Sequence, residues 1–249
     1  MPDRKERLDF AERWLTDAFR VIETPGGIVT LDVDMTRARD ALARLREAGA
    51  RVTYTHLVVR AAALALKTNP EQHVLVAGTA RLRPARVDIG LSVAGTTTYA
   101  PVMVIEDVAE KPLRALADEV TKRAPEVRAK EELDLASVRR WGWLIPFAWL
   151  RQLILRWLFK HVWFRRQLSG TFQVTCLSQP DHCIPLLFNT AAAVGAGRVR
   201  DRVVAIDGAP AVRPIMSLTC VFDHKAWDGA RAANMVAAMA KWLETGELE

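Results

Sequence analysis

The sequence predicts a single mixed α/β domain. Segments with the two-residue alternation of strands and segments with the helical spacing of apolar residues follow one another along the chain. No internal repeat and no low-complexity linker divides the 249 residues, a length that is ample for one buried core. The composition, with 50% hydrophobic and 26% charged residues, is typical of a globular protein and excludes a disordered, collagen-like or disulfide-based chain.

The N-terminal part opens with a predicted helix over residues 8–19, where the apolar residues share one helical face. After a Thr-Pro-Gly-Gly break, the alternation over residues 28–35 predicts a strand with one buried face. Thr36 is the candidate N-cap of a helix over residues 37–48, and Gly49 ends that helix.

The next predicted helix covers residues 57–67 and opens at Thr53 or Thr55. Its nearly all-apolar surface indicates deep burial. Short runs of strand type follow at residues 73–76, 87–93 and 100–104. A helix over residues 112–124 comes next, with Pro112 in its first turn.

The C-terminal part predicts three strands and one helix. Residues 170–177 alternate as a strand, and two more strands over about 193–204 and 212–222 bracket a turn at Asp207 and Gly208. The last helix covers residues 230–243. Its predicted buried side consists of Ala233, Val236, Ala240 and Leu243.

The sequence offers no pattern for a metal site, a disulfide framework or a membrane span. Cys176, Cys183 and Cys220 lack zinc-ligand spacing, although His182 lies near two of them, and we interpret them as buried thiols. The longest uncharged apolar run, residues 141–150, is half of the ~20 residues that a spanning helix needs. The N-terminal residues lack the apolar stretch of a signal peptide, which favours the cytoplasm.

The net charge of +6 is concentrated in one segment. Residues 139–166 contain six arginines and Lys160 and no acidic residue, so the remainder of the chain carries −1. Five of the eight tryptophans lie here, and the apolar positions from Phe147 to Phe164 follow helical spacing, with Phe159 and Trp163 as exceptions on the polar side. Over residues 141–166 this pattern favours a helix on an anionic membrane surface, or one buried against another subunit. It is too apolar for nucleic-acid binding.

His224 and Asp228 are the candidate functional residues, within SLTCVFDHKAWDG over residues 217–229. A predicted strand ends just before His224, where a rigid scaffold aims an imidazole whose ordinary pKa is about 6.5. Local spacing leaves two interpretations open. Either His224 is a general base, or Asp228 simply caps the last helix and His224 is a satisfied polar residue.

The wider pattern resembles a known family. D-H-K-x-x-D-G, between an apolar strand and an amphipathic C-terminal helix, is similar to the D-H-R-x-x-D-G signature of the catalytic domain of dihydrolipoyl acyltransferases, the core subunits of 2-oxo acid dehydrogenase complexes. The chloramphenicol acetyltransferases have a shorter version of it. The resemblance covers about residues 7–243, apart from the Trp/Arg-rich segment. The other matching stretches are THLVVRAAALALKTNPE, VDIGLSV, APVMVIEDVAEKPLRALADEV, SGTFQVTCL and VGAGRVRDRVVAIDGAPAVRPIMSLTCVFDH.

The resemblance implies a chloramphenicol acetyltransferase-like, two-layer α/β domain with a mixed sheet. It implies a homotrimer with the active site between subunits, and members of the family often assemble further into cages. Coenzyme A or acyl-CoA is then a substrate, and no metal takes part. The resemblance makes His224 the general base that takes the proton from the thiol of coenzyme A or of a dihydrolipoyl group.

Two further roles follow from the resemblance. Thr175 stands where the family's T-I-S-N strand has a serine, so it is expected to donate a hydrogen bond to the oxyanion; the alternative is a β-branched residue that only fills space. Asp228 matches an aspartate that holds its loop through an ion pair, and Arg13 is the matching arginine.

The chain also departs from the family. Lys225 replaces the motif arginine, and Asn189-Thr-Ala-Ala replaces an Asn-Pro-Pro-Gln stretch. The expected organisation is one catalytic domain over residues 1–249, with a Trp/Arg-rich insertion at about residues 139–168. Neither a lipoyl nor a subunit-binding domain is expected, so that a lipoyl or other acyl carrier protein would act in trans.

Two functions therefore remain open. The first is an acyltransferase that moves an acyl group between coenzyme A and a carrier thiol or another nucleophile. The second is a non-catalytic oligomeric scaffold, or a membrane-associated core protein, that keeps the fold. Retention of His224 and Asp228 favours the enzyme, whereas Thr175 and the missing carrier domain leave the scaffold open.

Overall fold

The computed structural model of the protein describes residues 26–77, 80–95 and 100–248. The predicted helix over residues 8–19 and the candidate Arg13 lie outside this range. The strands are β1 (Gly26–Asp34), β2 (Leu75–Ala77), β3 (Ala80–Leu82), β4 (Ile89–Ser92), β5 (Val102–Ile105), β6 (Phe172–Cys176), β7 (Ala192–Ala196), β8 (Arg200–Ile206) and β9 (Ala209–Asp223). The helices are α1 (Thr36–Glu47), α2 (Tyr54–Thr68), α3 (Leu113–Trp141), α4 (Ala148–Phe159), α5 (Val162–Ser169) and α6 (Gly229–Thr245), with short 3₁₀ turns at Val108–Glu110 and Gly142–Leu144.

The main sheet is mixed. Its strand order is β1-β9-β7-β6-β4-β5, and β8 extends it by pairing with β9. The neighbours β4–β6 and β6–β7 are parallel, whereas the other pairs are antiparallel. Strands β2 and β3 form a separate hairpin. The predicted mixed α/β fold is therefore confirmed.

One face of the main sheet packs against helices α2 and α6. Side chains of a strand alternate between its faces, and one set faces α2 and α6. The central strands contribute Ile89, Leu91, Phe172, Val174, Ala192, Val194, Cys220 and Phe222 to this core. Helix α2 is buried along almost its whole length, as its apolar surface predicts. This face supplies the continuous hydrophobic core that stabilises the domain.

The other face is lined by small and polar residues and is covered by backbone. A side chain at Gly195 would overlap the carbonyl of Cys183, and one at Gly90 would overlap the carbonyl of Ser169. Glycine thus lets the 183–185 segment and the end of α5 approach this face closely. Thr175, the neighbour of Gly195 in the register, belongs to the same face and stays half-buried.

Helix α3 is much longer than predicted. The prediction ended it at residue 124, but it runs through Pro125 to Trp141. Proline removes one helical hydrogen bond; here Pro125 and Thr121, whose carbonyl loses that bond, are both exposed, so water can bind the carbonyl. The residues that follow are mostly strong helix formers, which carry the helix onward into the Trp/Arg-rich segment.

The predicted strand over residues 193–204 is two strands. Chain segment 197–199 separates β7, inside the sheet, from β8, in the hairpin with β9. At Gly197 a side chain would overlap the carbonyl of Asp181, so the chain bends where another backbone passes. An alternation pattern contains no information on this crossing.

Two details of the helices also differ from the predictions. Helix α1 begins at Thr36 itself, whose backbone N–H donates to the Asp34 carboxylate at 2.9 Å, so Thr36 is not the N-cap. In α6, Ala233 is exposed and the buried stripe includes Ala232, Met235 and Met239 beside the expected Val236, Ala240 and Leu243.

Two histidines are buried in the domain. His56 lies in the first turn of α2, where its Nδ1 accepts a hydrogen bond from the Thr53 backbone N–H at 3.1 Å. His73 Nε2 lies 2.8 Å from Thr171 Oγ1, and Thr171 already uses its own hydrogen for the Asp88 carbonyl. His73 is therefore the donor in that bond. Burial lowers the pKa of each imidazole to about 4.

Acid should consequently destabilise this fold. Between about pH 6.5 and pH 4 the unfolded chain binds protons at both histidines while the folded chain does not, so the free energy of unfolding falls as pH falls. The slope reaches about 1.4 kcal/mol per pH unit for each histidine. Urea unfolding of the parent and of a His56→Gln/His73→Gln variant at pH 7 and pH 5 measures it. The variant should show the flatter pH dependence, and identical slopes would contradict the assignment.

Candidate active site

His224 follows the last residue of β9 and is exposed. Its ring makes a T-shaped contact with Phe222, with ring centroids 4.8 Å apart. The preceding Asp223 organises the turn, because its carboxylate accepts the Lys225 backbone N–H at 2.9 Å. The imidazole thus stands at the end of the sheet on a defined turn, as the sequence predicts for a residue past a strand end.

The same turn is fixed to the core by Trp227. Its backbone N–H and that of Ala226 donate to the Asp223 carbonyl, each at 2.9 Å. The indole is buried and donates to the Gln72 carbonyl at 2.9 Å. A buried aromatic ring with a satisfied polar atom holds this loop in place, so the exposed His224 rests on a rigid support.

Asp228 caps helix α6. Its carboxylate accepts the Arg231 backbone N–H at 2.8 Å, and its backbone is extended, as an N-cap requires. The structural role that local spacing allowed for Asp228 is thereby confirmed. The implied ion pair with Arg13 lies outside the described residues.

Thr175 lies on β6, and its hydroxyl oxygen is 2.9 Å from that of Ser92 on β4. No motif in the sequence indicates a role for Ser92. Its proximity to Thr175 results from the parallel pairing of β4 with β6, which brings together residues 83 positions apart.

Thr175 and His224 are far apart within the protomer. The register places Thr175 opposite Gly195, and Gly195 opposite Thr219 on β9. Asp223, next to His224, is four positions beyond Thr219. At ~3.3 Å per residue and ~4.8 Å between strands, the backbones of Thr175 and Asp223 are roughly 16 Å apart. One copy of the chain therefore does not bring the two predicted site residues onto one reacting group.

The end of the Trp/Arg-rich segment docks beside the His224 turn. Arg166 pairs with the buried Asp88 at 2.8 Å, and Arg165 donates to the Val76 carbonyl. Burial lowers the pKa of Arg165 below its usual range, an effect that the Asp223 carboxylate partly opposes. The segment itself contains no acidic residue, and the counter-ion of Arg166, Asp88, comes from another part of the fold.

The rest of the segment is not one amphipathic helix. Helices α4 and α5 are separated at Lys160 and His161. Arg151 is buried and donates to the Ile145 and Pro146 carbonyls at 3.1 and 2.8 Å. Large apolar side chains of the segment remain more than half exposed. They are Leu144, Phe147, Trp149, Leu153, Trp157 and Trp163.

The three cysteines are free thiols, and one of them, Cys176, lines a small cavity. Cys183 and Cys220 are buried and Cys176 is half-buried. Burial raises the pKa of Cys176 and of Cys220 to about 12, which keeps both protonated. Tyr54, Cys176 and Arg198 are among the residues that line a cavity of about 290 Å³.

Two properties are not found within the part of the chain that the structure describes. No group of three or more His, Cys, Asp or Glu side chains there could hold a metal ion. Among the same residues, no helix has the length and apolarity that crossing a membrane requires.

The order and directions of the strands define the class of the fold, which is chloramphenicol acetyltransferase-like. Chloramphenicol acetyltransferase itself aligns with 95% of this chain and 96% of its own, at a TM-score of 0.53 and 13% identity. Within this class, the family model described as 2-oxoacid dehydrogenases acyltransferase (catalytic domain) matches residues 14–135 and 170–248. The chain belongs to that family.

One sequence relative and one solved structure are similar to this chain over most of its length. The dihydrolipoyllysine-residue acetyltransferase component of the acetoin cleaving system of Bacillus subtilis (strain 168) is 28% identical over 229 residues, which cover 87% of this chain and 48% of the relative. This chain thus spans about half the length of that protein. The dihydrolipoamide acetyltransferase of Azotobacter vinelandii aligns with 98% of this chain and 92% of its own, at 21% identity and a TM-score of 0.74. It shares the fold.

The capping role of Asp228 makes a prediction about stability. Asp228→Ala should lower the free energy of unfolding by about 1 kcal/mol, because the first turn of α6 loses its acceptor. Asp228→Asn keeps a side-chain acceptor and should remain near the parent. Chemical unfolding at pH 7 compares the three proteins. Equal losses for both variants would show that the charge matters here rather than the cap.

Proposed function

We propose that this protein transfers an acyl group between coenzyme A and a thiol of dihydrolipoyl type on a separate carrier protein. The observation that carries the proposal is the exposed imidazole of His224, held by Asp223 and Trp227 on a rigid turn. A base on a rigid support is what acid–base catalysis requires, and membership of the acyltransferase family supplies the reaction type.

The reaction needs one base and one hydrogen-bond donor. His224 takes the proton from the attacking thiol, and the thiolate forms a bond to the thioester carbonyl carbon. The negative charge on the carbonyl oxygen is stabilised by the hydroxyl of Thr175, a contribution of about 3 kcal/mol in comparable sites. The carbon–sulfur bond to the first thiol then breaks, and the departing thiolate receives the proton from His224.

The active site is composite in this proposal. His224 of one copy and Thr175 of the next copy face the same thioester across a subunit interface of a trimer. The separation of roughly 16 Å within one copy supports this arrangement, since neither side chain spans it. In the Azotobacter enzyme, a serine, a histidine and an asparagine have been investigated for their role in the catalytic mechanism. There the asparagine follows the histidine by four positions, as Asp228 follows His224 here.

We further propose that the Trp/Arg-rich residues 139–168 are an insertion into an otherwise single catalytic domain, with the carrier supplied in trans. The interruption of the family match between residues 135 and 170 supports this organisation. The exposed apolar residues of α4 and α5, with Arg156 and Lys160 exposed among them, favour contact with an anionic membrane surface. Arg151, Arg165 and Arg166 already have partners inside the protein. Apolar contact therefore contributes more to binding than charge.

Subunit complementation tests the composite site. His224→Ala should lower transfer from acetyl-, propionyl- or isobutyryl-CoA to dihydrolipoamide at least ~100-fold, the usual scale of general-base catalysis. Thr175→Val should lower kcat and leave KM nearly unchanged. When the two variants are co-expressed with different tags, every mixed trimer has one interface with both residues intact. Tandem-purified mixed trimers should thus recover about one third of parental activity, by the geometry of a cyclic trimer.

Other outcomes would contradict the proposal. No recovery in mixed trimers would place both residues in one copy. Full activity of His224→Ala would remove His224 as the base. A trimeric parent that transfers no acyl group to dihydrolipoamide or to a lipoyl domain would favour the scaffold function.

Liposome sedimentation tests the membrane contact. The parent should bind vesicles of phosphatidylglycerol and phosphatidylcholine, and Trp149→Ser/Trp157→Ser/Trp163→Ser should abolish binding. Arg156 and Lys160 are the exposed cations among these apolar residues and contribute about 1 kcal/mol each, so salt should weaken the binding only moderately. Val203→Ser/Val212→Ser removes two exposed apolar residues from the β8–β9 hairpin and is the matched control.

Two results would contradict a membrane contact of this surface. Absence of vesicle binding by the parent contradicts the membrane contact. Loss of the oligomer in the tryptophan variant, together with absence of vesicle binding, would identify the surface as a subunit contact.

A further inference from the structure

Ser92 and Thr175 form a hydroxyl pair on neighbouring strands. The parallel register pairs Leu91 with Val174, and the next residue on each strand brings the two hydroxyl oxygens to 2.9 Å. Both side chains are half-buried on the sheet face opposite to α2 and α6. The contact is therefore set by the sheet and not by a flexible loop.

Such a pair always retains one hydrogen for a third group. Each hydroxyl has one hydrogen and two lone pairs. The mutual bond uses one hydrogen, and the other stays free whichever residue is the donor. The most useful arrangement for an oxyanion has Ser92 donating to Thr175 and Thr175 donating onward, because each bond in a chain polarises the next.

The fold leaves only the hydroxyl hydrogen of Thr175 to be oriented. Thr175 pairs with Gly195 of β7 on one edge of β6, and on the other edge the pairing with β4 includes the preceding residue, Val174, so the backbone of Thr175 is held within the sheet. Its β-branched side chain has few rotamers in a strand. Its neighbour on β7 is Gly195, which has no side chain to compete for the hydroxyl. Rotation about the C–O bond is then the remaining freedom, and Ser92 lies within reach to restrict it.

We propose that Ser92 is a positioning residue for the acyl transfer. Its hydroxyl donates to Thr175 Oγ1 and turns the Thr175 hydrogen towards the oxyanion that develops on the thioester. This inference rests on the proposed function of Thr175 as the oxyanion donor. Ser92 acts through Thr175 and does not contact the reacting atoms.

Kinetics of paired variants test the inference. Ser92→Ala should lower kcat roughly fivefold, the worth of one hydrogen bond between neutral groups, and leave KM unchanged because the effect arises in the transition state. Ser92→Thr keeps the hydroxyl and should retain parental kcat. In a Thr175→Val background, Ser92→Ala should lower kcat no further, because the residue through which Ser92 acts has lost its hydroxyl. Ser137→Ala, which removes an exposed hydroxyl from α3, is the control and should behave as the parent.

Four outcomes would overturn the inference. Parental kcat in Ser92→Ala, or the same fivefold loss in both backgrounds, overturns it while the proposed function stands. A loss in Ser92→Thr as large as in Ser92→Ala would mean that the site needs serine for its size rather than for its hydroxyl. If the parent transfers no acyl group, the proposed function fails, and the role of Ser92 fails with it.

Discussion

The hydrogen-bonded pairing of β9 on both of its edges is the constraint on which the rest of the structure depends. This strand pairs with β1 along one edge and with β8 and then β7 along the other. A slip of one residue would exchange its buried and exposed side chains, so the register is strongly specified. The position of His224, immediately after the strand, is thereby fixed relative to the whole sheet. The contacts of Asp223 and Trp227 then define how the turn leaves it.

The two faces of the sheet have different structural roles. Large apolar residues on one face pack against α2 and α6 and provide the stability of the domain. On the other face, glycines admit backbone that passes close by, and the Ser92–Thr175 pair supplies hydroxyl groups. A strand sequence with period two serves both faces at once. In the proposed function, the chemistry lies on the face that contributes little to the core.

The net charge of the Trp/Arg-rich segment does not indicate how many of its cations are paired, because some of their partners are brought to them by the fold. As a sequence it carries seven cations and no acid. In the structure, Arg166 reaches the buried Asp88 and Arg151 binds backbone carbonyls. Burying such groups is favourable only when they are paired, and the partner of Arg166 lies 78 positions away in the chain. The aromatic side chains, in contrast, remain at the surface.

The sequence by itself determined the elements with strong periodicity, the buried character of α2, the position of His224 after a strand, and the resemblance to the acyltransferase family. These depend on local patterns and on motifs that are contiguous in the chain. Tertiary structure alone decided that residues 193–204 divide into β7 and β8, that α3 continues past Pro125, and that Ser92 meets Thr175. It also decided that His224 and Thr175 lie apart within one copy. Each of these depends on contacts between residues distant in the chain, and such contacts leave no periodic trace in the sequence.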